Sequence, residues 1–227
     1  MTARSEPISF HSLYEREPTP AVAAGRRAAD EARRVLRALV ASGAAVTDLD
    51  AAASALAEIA DRLEPHTPLS RYEGTDGIDF KSGSGESRAQ VFESHPILGP
   101  SNPLAPPVHV FPVDDDGVVV ATATYGAAYE GPPGCVHGGM LAAAFDIVLG
   151  AASVSAQRPA LTGTLTVRYR RGTPLHREVR YEGRLDRVEG KRTHVVARAL
   201  VDGELTAEAE GIFVSVDPAR LRPATAE

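Results

Sequence analysis

The 227-residue chain predicts an α+β fold in which an antiparallel sheet wraps around one long central helix. Three observations predict it. Met140 to Ala156 is an apolar run whose only charge is Asp146. Before and after this run the sequence changes to the two-residue period of strands, with β-branched residues and Asp-Gly or Glu-Gly turns between segments. The strand segments carry charges on alternate positions, so the sheet has one solvated side and one side that must cover something.

Taken in order, the elements begin with a helix from about Ala21 to Ser42, where Val35, Leu36, Leu39 and Val40 form a stripe to be buried. A second helix is expected from an N-cap at Thr47, with its stripe at Leu49, Ala53, Leu56, Ile59 or Ala60, and Leu63, until Pro65 stops it. Together they suggest a helical hairpin that docks on a partner. Residues from Gly74 to Arg88 are rich in Gly, Ser and charge and hold too few apolar residues to pack, which predicts a linker. Ser101 to Val108, with three prolines, predicts an extended lead into the next unit. The expected division is therefore an N-terminal helical extension over 1–73, a linker over 74–100, the main domain over 101–217 and a tail over 218–227.

In the main domain, Val108 to Val113 and Val118 to Thr124 predict a hairpin around Asp116-Gly117. The helix from about Gly138 to Ser155 is apolar on nearly every face and is expected to be enclosed by protein. Beyond it Leu165, Val167 and Tyr169 alternate with Thr and Arg. The same alternation follows around Val179 to Leu185, Thr193 to Val201 and Leu205 to Val216, which predicts consecutive antiparallel strands. Arg180, Glu182, Arg184, Glu208 and Glu210 mark the solvated face.

A net charge of -6 argues against general nucleic-acid binding and leaves a small molecule as the expected partner. A single cysteine, Cys135, permits no intrachain disulfide, and the first 20 residues lack the apolar core of a signal peptide, so a cytoplasmic location is expected. The run from Met140 to Ala156 is shorter than the roughly 20 residues of a membrane-spanning helix, so no span is expected. The pattern calls for no metal and no cofactor.

The chemistry concentrates in Tyr129 to Asp146, YEGPPGCVHGGMLAAAFD. Gly138 and Gly139 stand where a loop enters the helix, so backbone N–H groups there are expected to be free and aligned with the positive end of the helix dipole. Glycine lets a carbonyl approach such donors, each worth roughly 3 kcal/mol to a developing oxyanion. Asp146, midway along an apolar helix, requires a compensating partner or a wet cleft, and buried carboxylates mark sites. From His137 it is nine positions, about 13 Å along a helix, so an Asp cannot easily serve its own chain's turn. A symmetric dimer with helices side by side brings each Asp to the partner's glycines.

The segment resembles the PaaI-like branch of the hotdog thioesterase superfamily. His137, Gly138, Gly139 and Asp146 match that branch's HGG turn and its carboxylate nine positions after the His. The resemblance continues through LTGTLTVRYRRGTPL, around Thr162, and through RVEGKR, Arg187 to Arg192, covering about 101–216. It implies a hotdog fold, a homodimer or dimer of dimers, and hydrolysis of an acyl-CoA thioester. In that mechanism Gly139 N–H receives the carbonyl oxygen and Asp146 of the other subunit acts as general base or nucleophile. Thr162 takes the place of a polar residue that orients the water or the carboxylate. His137 positions the carbonyl or the loop, or serves as a structural hydrogen bonder. Arg168, Arg170, Lys191 and Arg192 fall where the family meets the nucleotide and pantetheine end of CoA. Cys135 reads as a small buried thiol. A hotdog hydratase would need a His about five residues after its Asp, and IVLGA after Asp146 supplies none. The rival from another class is a non-catalytic acyl-CoA sensor, which has no need of a costly carboxylate.

Overall fold

The computed structural model describes residues 17–67, 92–111, 114, 116–156 and 160–216. The main domain is a six-stranded antiparallel sheet, β1 (Val108–Val110), β2 (Val118–Thr124), β3 (Ala160–Tyr169), β4 (Glu178–Glu189), β5 (Arg192–Val201) and β6 (Glu204–Ser215). A single long helix packs on one face of it, the hotdog arrangement. Among the described residues the helices α1 (Pro20–Val40) and α2 (Val46–Leu63) precede the sheet, and the central helix α3 spans Gly138–Ser153.

The strand order is β1-β2-β4-β5-β6-β3. The hairpins β4-β5 and β5-β6 follow the expected turns, where Gly190, Asp202 and Gly203 take the positive φ that tight hairpins demand. The expectation of consecutive neighbours fails at β3. This strand pairs with β6, not β4, and forms an edge of the sheet. Its partner lies about 45 residues downstream in the chain, and such a long-range pairing leaves no mark in local alternation.

α3 presents Leu141, Ala144, Phe145, Val148, Leu149, Ala151 and Ala152 to the sheet, all buried. The other expectation about α3, enclosure on every side, is corrected by the opposite stripe: Ala142, Ala143, Asp146 and Gly150 are only half-buried. By length and composition α3 with its following turn is apolar enough to cross a membrane, and here its apolar face lies on the sheet. The sheet lets the helix approach because Gly183 has no side chain; a Cβ there would stand 2.6 Å from Val148 Cγ1. Tyr181 meets Phe145 edge-on, with ring centroids 5.4 Å apart, and its hydroxyl bonds Tyr125 Oη at 2.9 Å in the buried interior.

The preceding part departs from expectation in several places. α1 is capped by Thr19 and α2 starts after Ala45 without a side-chain cap, so Thr47 lies inside the helix. The stripe Leu36, Leu39, Val40 remains exposed, and α2 buries no residue. α1 docks instead through Ala29 and two arginines. Arg26 pairs with Glu93, with Nε 3.1 Å from Oε2, and Arg33 donates to the carbonyls of Gly99, Pro100 and Asn102. The segment Ser101 to Val108 is folded into turns, with Asn102 N–H on Gly99 O and Ala105 N–H on Asn102 O, because the prolines interrupt strand pairing and Asn102 closes the bends locally. Of the stretch expected to link the two parts, 92–100 is described, and Leu98 there packs into the main core. Gly74 to Arg88 lies outside the described residues. β1 ends at Val110, and Val113 is also outside them.

Candidate active site

The loop before α3 folds back on itself as a small hairpin. Gly131 N–H donates to Cys135 O, Cys135 N–H to Pro132 O and His137 N–H to Tyr129 O, while Val136 N–H reaches Thr173 O. This fixes His137 as the residue immediately before the helix, with extended backbone (φ -61°, ψ 133°) and its ring turned back toward the first turn. His137 Nδ1 accepts the Gly139 N–H at 3.0 Å. The expectation that the glycine amides stand free is thereby corrected for Gly139: its N–H is capped by the preceding imidazole, as helix N-termini recruit any near acceptor. Gly138 N–H occupies the first helical position, where no intrahelical acceptor exists.

Asp146 has the partner its setting requires. Thr162 Oγ1 donates to Asp146 Oδ1 at 2.8 Å, joining the half-buried face of α3 to the edge strand. A bulge makes this possible. Thr162 pairs with Phe213 and Thr164 with Ile212, so Gly163 is an extra residue in β3. Without it Thr162 and Leu165 would face opposite sides of the sheet; the insertion turns Thr162 to the helix side with Leu165, Val167 and Tyr169. Gly163 suits the position, since a Cβ there would come 2.9 Å from Val214 Cγ2.

Gly139 and Asp146 lie on one stripe of α3, 146 minus 139 being seven residues, two turns and about 10 Å apart along the axis. Within one chain the carboxylate and the amide therefore do not converge on a single reacting carbon. Between them the stripe carries Ala142 and Ala143, so the surface linking the two is small-sided and half-open.

The four cations divide. Arg168 and Arg170 project from the outer face of β3 and form ion pairs with Glu210 and Glu208 of β6. Strand alternation puts them opposite the face that carries Thr162. The Glu210 carboxylate holds the Arg168 guanidinium more firmly protonated than usual. Lys191 and Arg192 are exposed at the β4-β5 turn. Arg192 and Leu161 flank Val214 from its two sides, which places that turn at the same end of the sheet as Thr162. Cys135 is half-buried against Gly172. Among the described residues no three His, Cys, Asp or Glu side chains converge as metal ligands.

One participant was missed from sequence. Tyr169 Oη donates to Gly138 O at 2.8 Å, and the ring lies against the glycine where a Cβ would meet Cζ and Oη at 3.1 Å. Its alternation with Leu165 and Val167 gave the correct face, but read it as a core residue; it is 52% exposed.

Residues 133–208 match the family model described as Thioesterase superfamily. Among curated proteins, the acyl-coenzyme A thioesterase THEM4 of Bos taurus is 31% identical over 111 residues, 48% of this chain and 46% of that protein. The Xenopus laevis protein of the same name is 34% identical over 95 residues, 41% of this chain and 43% of its own length. The chain thus matches less than half the length of these curated relatives. A crystal structure of protein RHA08564, described as a thioesterase superfamily protein, is 34% identical and covers 88% of this chain and 97% of its own, with a TM-score of 0.70.

Proposed function

The chain belongs to the thioesterase superfamily, and from that premise we propose that it hydrolyses acyl-CoA thioesters to the free acid and CoA. The observation that carries the reading is the Asp146–Thr162 pair on the half-open stripe of α3, two helical turns from a glycine amide at the helix N-terminus. These are the parts acyl transfer to water needs: a carboxylate to activate the nucleophile and a donor for the oxyanion.

Two protomers complete the site in this reading. β3 is a sheet edge along which Leu161 and Tyr169 are exposed and from which Thr162 reaches Asp146, and unpaired edges with apolar residues favour pairing with a second copy. A two-fold axis there sets each α3 antiparallel to its twin, so Asp146 of one protomer faces the Gly138-Gly139 turn of the other. The thioester carbonyl displaces His137 Nδ1 from Gly139 N–H and takes that hydrogen bond. Asp146, held by Thr162, removes a proton from water as it attacks the carbonyl carbon, or attacks that carbon itself. The C–S bond then breaks and CoA departs as thiolate, taking up the proton where Asp146 acted as base; where Asp146 attacked, water then hydrolyses the acyl-aspartyl anhydride to release the free acid. Lys191 and Arg192 meet the phosphates of the nucleotide; Arg168 and Arg170 contribute only if they leave Glu210 and Glu208.

The test is a hydrolysis screen over short-chain, long-chain and aryl acyl-CoA substrates with wild type and Asp146→Asn. The reading expects turnover of at least one class, reduced about 100-fold or more in the variant. CoA binding without hydrolysis of any member would replace the enzyme with a sensor.

A further inference from the structure

The peptide unit joining Gly138 to Gly139 is held from both ends by side chains. Tyr169 Oη donates to its carbonyl, Gly138 O, at 2.8 Å, and His137 Nδ1 accepts its N–H, that of Gly139, at 3.0 Å. In a planar trans peptide the C=O and N–H point in opposite directions, so a bond that fixes one aims the other. The need for such support is local. Two successive glycines have the widest backbone freedom of any pair, and they stand in the first turn, where intrahelical bonds are fewest.

We propose that Tyr169 is a positioning residue for the oxyanion site, an inference that rests on the thioesterase reading above. Tyr169 does not reach the reacting atoms; it acts through the Gly138 carbonyl. Its hydrogen bond keeps the terminal peptide from rotating when His137 is displaced by substrate, and it polarises that peptide so that Gly139 N–H is a stronger donor. The two side chains thus have different parts. His137 is the acceptor that occupies the amide at rest and gives it up. Tyr169, on the opposite side of the peptide, remains in place through the reaction. The ring's contact with Gly138 explains why a side chain is absent there: a Cβ at 3.1 Å would push the hydroxyl off the carbonyl.

Tyr169→Phe in the full chain tests this, because it removes one oxygen from a half-exposed ring and leaves the packing in place. The expected result is a kcat about tenfold lower with KM for acyl-CoA unchanged, the worth of one hydrogen bond expressed only in the transition state. Solvent-exchange NMR supplies a readout independent of turnover: the Gly139 amide exchanges about tenfold faster in the variant, while amides in the middle of α3 keep their wild-type rates. Gly139 exchange identical to wild type overturns the proposal, whatever happens to kcat. So does an equal rise in exchange along the whole helix, which signals a general structural role. If wild type hydrolyses no acyl-CoA, the functional reading fails, and the exchange comparison still decides what Tyr169 does to the glycine peptide.

Discussion

Thr162 and Asp146 are sixteen residues apart in sequence and 2.8 Å apart in space, Oγ1 to Oδ1, and a bulge at Gly163 is what turns the threonine toward the helix. The carboxylate therefore has one oxygen, Oδ1, engaged by a hydroxyl donor, and in the proposed mechanism the other serves the water or the substrate carbon. In that mechanism Thr162 is an orienting group for the carboxylate.

Thr162→Val keeps the β-branched shape and removes the donor. Turnover is expected to fall by about tenfold to 100-fold, since small misplacements of a reacting group have effects of that size. Steady-state kinetics checks it, and an unchanged kcat would return Thr162 to a purely local role.

Much of this site was legible in the sequence because its parts lie within one continuous segment: His137, Gly138, Gly139 and Asp146 share the approach to a helix whose apolar run is unmistakable. The Thr162 assignment came from resemblance alone; the bulge that makes it geometrically sound depends on pairing with Phe213 and Ile212, which local alternation does not encode. The same gap hid the edge position of β3. The outward turn of Arg168 and Arg170 was readable from their alternation with Val167 and Tyr169, whereas their ion pairs with Glu210 and Glu208 depend on the pairing of β3 with β6. The stripe of α1 failed for a different reason: Arg33 secures the helix through three backbone carbonyls, so the anchoring is polar and periodicity of apolar residues does not report it.

The contact of helix and sheet at Gly183 predicts a stability effect without a direct catalytic one. Gly183→Ala puts a methyl 2.6 Å from Val148 Cγ1 inside a filled core. Overpacking of this kind costs about 1–3 kcal/mol, and thermal or urea unfolding measures it. A variant as stable as wild type would mean that α3 sits farther from β4 than described.

The buried Tyr125–Tyr181 pair predicts an alkaline limit. Burial raises the Tyr125 hydroxyl from 10.0 to about 12 and raises Tyr181 well above its usual value, because the phenolate loses its hydration there. A raised folded-state value means that the stabilisation is complete below pH 10, where the unfolded tyrosines are also neutral. It is lost as the unfolded tyrosines ionise and pH rises toward 12. Urea unfolding at pH 8, 10 and 11 should give a falling midpoint above pH 10; a flat profile would contradict the buried pair.

The central claim is that Asp146 of one protomer works on a substrate held by the other protomer's glycine turn, and mixed oligomers test it most directly. Asp146→Ala lacks the acid, and Gly139→Pro lacks the N–H while proline remains tolerable in a first helical turn. Each homogeneous variant should be nearly inactive. Co-refolded in equal amounts, half of the dimers are mixed, and each of these holds one intact site, so activity should recover to about one quarter of wild type. Recovery to that level is the result the account predicts; no recovery, with mixed dimers verified by mass, would contradict it.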